Sequence, residues 1–173
     1  MSAAAIVAGF PCVGFSGSRR PCPASLAACG WLAGVVAPGA VVVTGCAPGI
    51  DHAARLYFPA AQVFRASSFG SGRGAFAARS VACVRSVAAA GGLWAAFPGG
   101  PCPGGLRPSA RSSQAFCGSG SGTWASLSFA IGCGLPCLVF LPAGVPAPAG
   151  WGLQPLGGGW FHAAPREIQQ SLF

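Results

Sequence analysis

The chain has no lysine and almost no acidic side chains. Its ten basic residues are all arginines, and Asp51 and Glu167 are its only carboxylate side chains, which leaves a net charge of +8. This imbalance favours polyanionic partners through counterion release and long-range attraction. The codon bias of a GC-rich genome is a plainer reason for the missing lysine. Because charged residues make up only 7% of the chain, little of the surface can be ionic, and we expect a homo-oligomer that buries apolar surface.

Two further absences exclude whole classes of site. The nine cysteines form no C-x-x-C pair and the chain has only two histidines, so the sequence contains no zinc signature and we expect no metal. Unpaired thiols scattered through apolar runs are typical of a reducing compartment, here the cytoplasm. The N-terminus also lacks the basic start of a signal peptide.

One uncharged run, residues 123–141, has the length of a membrane span. Gly132, Gly134 and Pro136 interrupt it. A helix, a tight turn and a buried strand fit this pattern better than a span. We therefore expect no membrane partner.

The stretch that organises the chain runs from Val41 to Arg55. It opens as a β-branched apolar run, which predicts a buried strand. It breaks at Thr44-Gly45 and continues beyond Pro48-Gly49 as a helix with Asp51 in its first turn. A glycine-rich turn between a strand and a helix leaves free N–H groups at the positive end of the helix dipole, which suits a phosphate or another anion.

Strands alternate with helices through the rest of the chain. This alternation predicts an α/β fold, a Rossmann-like three-layer α/β/α sandwich with a mainly parallel sheet of about five or more strands. We expect one domain over residues 1–161 and a tail over 162–173. Strands are predicted at 12–16, 41–44, 61–65, 92–97 and 136–141, and helices at 23–36, from 50, at 73–89 and at 124–133. Residues 1–10 are predicted to be a loose or edge segment. Residues 98–113 and 142–159 are predicted to be irregular, with 98–113 either a lid over the site or a mobile excursion.

The predicted helix 73–89 carries a charge that needs a partner. Phe76, Cys83, Val84 and Val87 share one apolar face, and Arg79 lies near the edge of that face. An unpaired buried charge is costly, and no carboxylate is close in sequence. A ligand phosphate and a set of backbone carbonyls are the two partners we consider.

Three small-residue turns are expected to meet at one edge of the sheet. They are Gly17-Ser18-Arg19, Thr44 to Gly49, and Gly118 to Thr123. Ligands of parallel α/β sheets lie beyond the carboxyl ends of the strands, where these turns belong. Neither glycine-rich turn has the Gly-Lys-Ser/Thr of a P-loop, and the first strand carries no GxGxxG fingerprint.

The order GSR, then VVTGxAxGID, then a helical arginine, then GxGT before a helix resembles the SLOG group of Rossmann-like proteins. That group includes the DNA-processing protein A family, the LOG-type phosphoribohydrolases and small nucleotide-sensing proteins, and the chain is more similar to the DNA-processing and small stand-alone members. The resemblance implies binding of a nucleotide or an ADP-ribose-like ligand. The implied ligand contacts are Gly17, Ser18, Arg19, Thr44, Gly45, Gly49, Asp51, Arg79, Gly120, Gly122 and Thr123. In this set Gly49 is the glycine of the turn before the helix and Arg79 is the helical arginine.

The chain departs from the phosphoribohydrolases at one position. Ser126 stands where their motif PGGxGTxxE has glutamate, and glycosidic cleavage generally needs a carboxylate. We therefore expect a non-hydrolytic binding module that acts near DNA or in phage or bacterial signalling, with no catalytic residues. The alternatives are single-stranded DNA binding of the DNA-processing type, a structural or assembly role, and phosphoribohydrolase activity.

The C-terminal sequence carries a second signal. Gln169-Gln170-Ser171-Leu172-Phe173 resembles the peptide that docks on the bacterial sliding clamp. In such a peptide a glutamine anchors hydrogen bonds while leucine and phenylalanine fill an apolar pocket. Gln169, Leu172 and Phe173 are thus candidate partner-binding residues, and a terminal helix packed on the core is the alternative.

Overall fold

The computed structural model describes residues 1–165. The strands are β1 (Cys12–Gly17), β2 (Val41–Gly45), β3 (Gln62–Phe64), β4 (Leu93–Phe97), β5 (Cys137–Phe140), β6 (Gln154–Gly157) and β7 (Trp160–Ala163). The helices are α1 (Ala3–Val7), α2 (Pro23–Val35), α3 (Ile50–Tyr57), α4 (Gly74–Ala89), α5 (Ser112–Ala115) and α6 (Gly122–Gly132), with a short 3-10 helix at Ala66–Phe69. The clamp-like residues Gln169, Leu172 and Phe173 lie outside the described residues.

All seven strands form one sheet in the order β3-β2-β1-β4-β5-β7-β6. Strands β1 to β5 are parallel, whereas β7 pairs antiparallel with β5 and β6 pairs antiparallel with β7. The predicted Rossmann-like α/β/α class is therefore confirmed. The strand order reverses between β1 and β4, which is where such sheets leave a crevice beyond the strand ends.

The crossover helices cover the two faces of the sheet in separate groups. Apolar residues of α1, α2 and α3 pack with one face, and those of α4 and α6 pack with the other. Because parallel crossovers are right-handed, the reversal of strand order after β3 carries α4 and α6 to the opposite face. The α4 and α6 face holds Trp94, Trp124 and Leu127 in its core.

Two regions predicted to be loose or irregular contain regular structure. Helix α1 is capped by the Ser2 hydroxyl and buries Ile6 and Val7. The hairpin of β6 and β7 extends the sheet beyond β5, although residues 142–159 were expected to lack strands. Its sequence, rich in proline and glycine, has no alternation of apolar residues, and its order comes from pairing with β5 and from the Trp160 ring against Phe140 and Phe97.

The predicted apolar face of α4 is only partly correct. Cys83, Val84 and Val87 are buried, whereas Phe76 is 44% exposed. In α2, Leu32 is fully buried and Trp31 is 45% exposed.

All nine cysteines lie among the described residues and all are free thiols. No helix in residues 1–165 combines the length and apolarity needed to cross a bilayer.

Candidate functional site

A cleft of about 780 Å³ opens at the point where the strand order reverses. Its floor and walls come from the carboxyl ends of β1, β2 and β4 and from the first turns of α4 and α6. These strand ends and helix starts meet because every parallel strand points the same way. The residues that line the cleft include Ser16, Gly17, Ser18, Arg19, Gly45, Asp51, Arg73, Phe76, Arg79, Trp94, Gly118, Gly120, Gly122 and Thr123.

A buried ion pair lies at the base of the cleft. Arg79 Nη1 of α4 donates to Asp51 Oδ2 of α3 over 3.0 Å. The two residues are 28 positions apart in the chain, and Arg79 and Asp51 are only 7% and 5% exposed. The partner of Arg79 Nη1 is therefore a carboxylate from another helix. A ligand phosphate and backbone carbonyls were the partners considered from the sequence, and for Nη1 both expectations were wrong.

One oxygen of the Asp51 carboxylate accepts from two protein donors. Besides Arg79, its Oδ2 atom accepts a hydrogen bond from the Ala47 N–H over 3.2 Å. Burial raises the pKa of Asp51 above its ordinary value, and the Arg79 charge, the Arg79 hydrogen bond and the Ala47 N–H oppose that shift. Desolvation disfavours the charged form, and the arginine charge and its hydrogen bond limit how far the Asp51 pKa rises.

Two glycines allow these groups to come together. A Cβ atom at Gly45 would overlap Arg79 Nη1 and Asp51 Oδ2, so only glycine leaves space for the ion pair against β2. Gly49 has a φ of +79°, and a Cβ atom there would collide with the Ser18 carbonyl. The β1 and β2 turns can therefore touch only because Gly49 has no side chain.

The turn before α3 is filled by the protein's own acceptors. The Ile50 N–H donates to the Ser18 carbonyl over 3.1 Å, and the Ala47 N–H donates to Asp51. Two of the amides expected to hold an anion therefore already have partners. Arg55 reinforces the turn by donating to the carbonyls of Gly45 and Ala47.

The turn before α6 is different, because its amides are free. Gly118 and Gly120 have φ angles of +79° and +96°, and Ser121 caps the helix by accepting from the Trp124 N–H. Within the described chain, no backbone N–H from 117 to 123 donates to a protein acceptor. Free amides at the start of a helix are donors to which an anion can bind, and α6 has 11 residues.

Buried polar atoms without a partner are concentrated at this cleft. The described residues contain four such side-chain atoms, and the residues that carry three of them line the cleft: Ser16 Oγ, Arg79 Nε and Trp94 Nε1. Arg79 makes no hydrogen bond with residues 1–165 other than the one from Nη1. An unsatisfied buried donor costs about 1–3 kcal/mol, so a bound group that accepts from it would be stabilising.

The long loop between β4 and α5 is tied to α6. Trp124 Nε1 donates to the Gly100 carbonyl over 2.9 Å, and Ser128 Oγ donates to the Arg107 carbonyl over 2.6 Å. Leu106 is buried in the same core. Of the two expectations for residues 98–113, the contacts support neither a lid nor a free excursion, because the loop packs against a helix.

Most of the residues predicted from the sequence line the cleft, but Thr44 and Gly49 do not. Thr44 is fully buried and its hydroxyl donates to the Phe15 carbonyl. Successive residues of a strand face opposite sides of a sheet, so Gly45 faces the cleft and Thr44 faces away from it. Gly49 lies against the backbone of Ser18 and Arg19 and does not line the cleft.

Sequence reasoning missed several cleft residues, among them Ser16, Arg73 and Phe76. Ser16 is the residue before the last of β1 and lies on the same face of the sheet as Gly45, and the alternation of the strand could have shown this. Arg73 stands at the start of α4, and Phe76 follows one turn later. Phe76 was assigned to the core because it matches the spacing of the buried residues of α4.

The Ser126 hydroxyl donates to the Gly122 carbonyl over 2.8 Å. In residues 1–165 no group of His, Cys, Asp and Glu side chains is arranged to hold a metal ion.

Comparison with known proteins finds no matching family model, no similar curated protein and no similar solved structure.

Proposed function

We propose that this protein binds a nucleotide or an ADP-ribose-like phosphate ester in the cleft and does not hydrolyse it. The observation that carries the proposal is the state of Arg79. Its Nη1 atom is held by Asp51, while the Nε–H is buried without a partner. The Nε and Nη2 atoms form the side edge of a guanidinium, which binds two oxygens of a phosphate at once.

The charges around the cleft support an anionic ligand. Arg19, Arg73 and Arg79 line it, and the only acidic residue of the described chain, Asp51, is already paired. The free amides of the turn 118–122 add a second set of donors on the other wall. A phosphate that replaces water between these groups would gain charge-assisted hydrogen bonds.

The same arrangement supports binding without glycosidic cleavage. A hydrolase would need a carboxylate free to stabilise developing charge or to activate water. The Oδ2 atom of Asp51 already accepts from Arg79 and from Ala47, and the Ser126 hydroxyl is directed to a backbone carbonyl.

A thermal melt with AMP and with ADP-ribose tests the proposal. At a ligand concentration about 100-fold above Kd, binding adds about 2.7 kcal/mol of stability. For a domain of this size that raises Tm by roughly 5–10 °C. Arg79→Lys keeps a positive charge beside Asp51 but lacks the planar Nε–Nη2 edge of the guanidinium, so this variant should lose most of the rise in Tm. Arg19→Ala should lose most of it as well.

Arg20→Ala is the matched control, since it removes the same charge from the neighbouring position, which does not line the cleft. It should keep the full shift. A panel of nucleotides and ADP-ribose that leaves Tm unchanged in the unaltered protein would remove the proposal.

Binding of single-stranded DNA is a second candidate. It is favoured by the burial of the one described carboxylate against Arg79, which leaves the exposed arginines of residues 1–165 without an acidic neighbour in that part of the chain. Its test depends on the charge of the whole molecule and is given in the Discussion.

A further inference from the structure

Phe76 is an exposed aromatic ring at the mouth of the cleft. It lies in the first turn of α4, lines the cleft and is 44% exposed. The next lining residues of that helix, Ala77, Arg79 and Ser80, continue the same wall inward. An exposed apolar ring is less favourable than a buried one, so a ligand that covers Phe76 would be stabilised by burying the ring.

The Phe76 ring already makes a cation–π contact. The guanidinium carbon of Arg19 lies 5.0 Å from the centroid of the Phe76 ring. Arg19 belongs to the turn after β1 and Phe76 to α4, so the pair joins two walls of the cleft. A cation–π contact at an exposed site is weak, and a flat ligand group can replace it.

We propose that Phe76 is the platform on which the base of a bound nucleotide stacks, and that the base takes the place of the Arg19 guanidinium. This inference rests on the proposed function and narrows its ligand to compounds that carry an aromatic base as well as a phosphate. Every nucleobase has a π-face, so stacking selects nucleotides over sugar phosphates without selecting one base.

The exchange gives Arg19 a second role. Once released from Phe76, its guanidinium is free to pair with the ligand phosphate, which forms a stronger contact than a ring face because it is charge-assisted. Phe76 and the phosphate therefore compete for Arg19 until a base covers the ring. A ligand without a base leaves that competition in place.

Calorimetric titration of two probes that differ only in the base tests the inference. The probes are AMP and ribose 5-phosphate, and the variant is Phe76→Leu. Loss of a base stack should weaken AMP binding by roughly tenfold or more. Ribose 5-phosphate should bind equally well or up to about fivefold more tightly, because Arg19 no longer contacts a ring.

Phe69→Leu is the matched control. Phe69 is a phenylalanine of similar exposure, 40%, that does not line the cleft, so this variant should bind both probes as the unaltered protein does. Equal losses for both probes in Phe76→Leu, or unchanged AMP binding, would overturn the inference while leaving the proposed function intact. If neither probe binds the unaltered protein, the proposed function fails and the base platform fails with it.

Discussion

At the scale of single residues, the cleft depends on one buried ion pair. Burying two charges is costly, and only good geometry with further hydrogen bonds offsets the cost. Asp51 and Arg79 meet this condition in part. The carboxylate also accepts from the Ala47 N–H, but the Arg79 Nε–H has no partner. The ion pair is therefore satisfied at the carboxylate oxygen Oδ2 and incomplete at Arg79 Nε.

Removing the charge of Asp51 should destabilise the protein strongly. Asp51→Asn leaves a buried guanidinium without its counter-ion, and breaking such a pair costs about 3 kcal/mol or more. Urea unfolding followed by tryptophan fluorescence would show a lower midpoint. In the double variant Asp51→Asn with Arg79→Met, no unpaired charge is left, so much of the loss should be recovered. A normal midpoint in the single variant would contradict this assignment of the ion pair.

At the scale of secondary-structure elements, the hairpin of β6 and β7 is an antiparallel addition to a parallel sheet. Its contact with the sheet is the pairing of β7 with β5, in which His162 lies opposite Leu138. Burial lowers the pKa of His162 below its ordinary value of 6.5. The folded protein therefore binds this proton less readily than the unfolded chain does.

The hairpin should consequently respond to acid. As the pH falls below 6.5, the unfolded chain takes up the His162 proton first, so the free energy of unfolding decreases until the lowered folded-state pKa is passed. Asp51 acts in the opposite direction, because its pKa is raised. The free energy of unfolding is measured against pH for the unaltered protein and for His162→Gln. The difference between the two profiles isolates the contribution of His162. The difference should show a loss of stability between pH 7 and 5, and a flat difference would show that His162 does not titrate on unfolding.

At the scale of the whole molecule, positive charge exceeds negative charge. The net charge is +8, and the described carboxylate is buried. Several large apolar side chains are also exposed, among them Trp31, Leu56 and Tyr57. The expected homo-oligomer stays a prediction, and light scattering at high protein concentration would detect it.

The charge leads to a test of the second candidate function. If the protein binds an oligo-dT strand, its affinity should fall by roughly tenfold or more between 50 and 200 mM salt, because each neutralised phosphate releases counterions. Fluorescence anisotropy measures this slope. Excess AMP should leave DNA binding unchanged if the DNA contacts the arginines outside the cleft. It should abolish DNA binding if the DNA enters the cleft. No binding at 50 mM salt would rule out this candidate.

Much of the framework was readable from the sequence. The alternation of strands and helices predicted the parallel sheet, and the turns at Gly17, Gly45 and Gly118 were correctly expected to lie at one sheet edge. These features are local, since hydrophobic period, glycine and proline act within a few residues. The β6–β7 hairpin was missed because its strands carry no such pattern and are formed by pairing with β5.

The sequence by itself determined that a basic, glycine-lined cleft would form at the carboxyl ends of the strands. Only the tertiary structure decided which groups in that cleft are still free to bind. The fold brings Asp51 to Arg79 across 28 residues and seats the Ser18 carbonyl on the Ile50 amide, while the amides before α6 are left without partners. Pairing between distant residues depends on how helices pack on the sheet, and no local pattern in the chain encodes that packing.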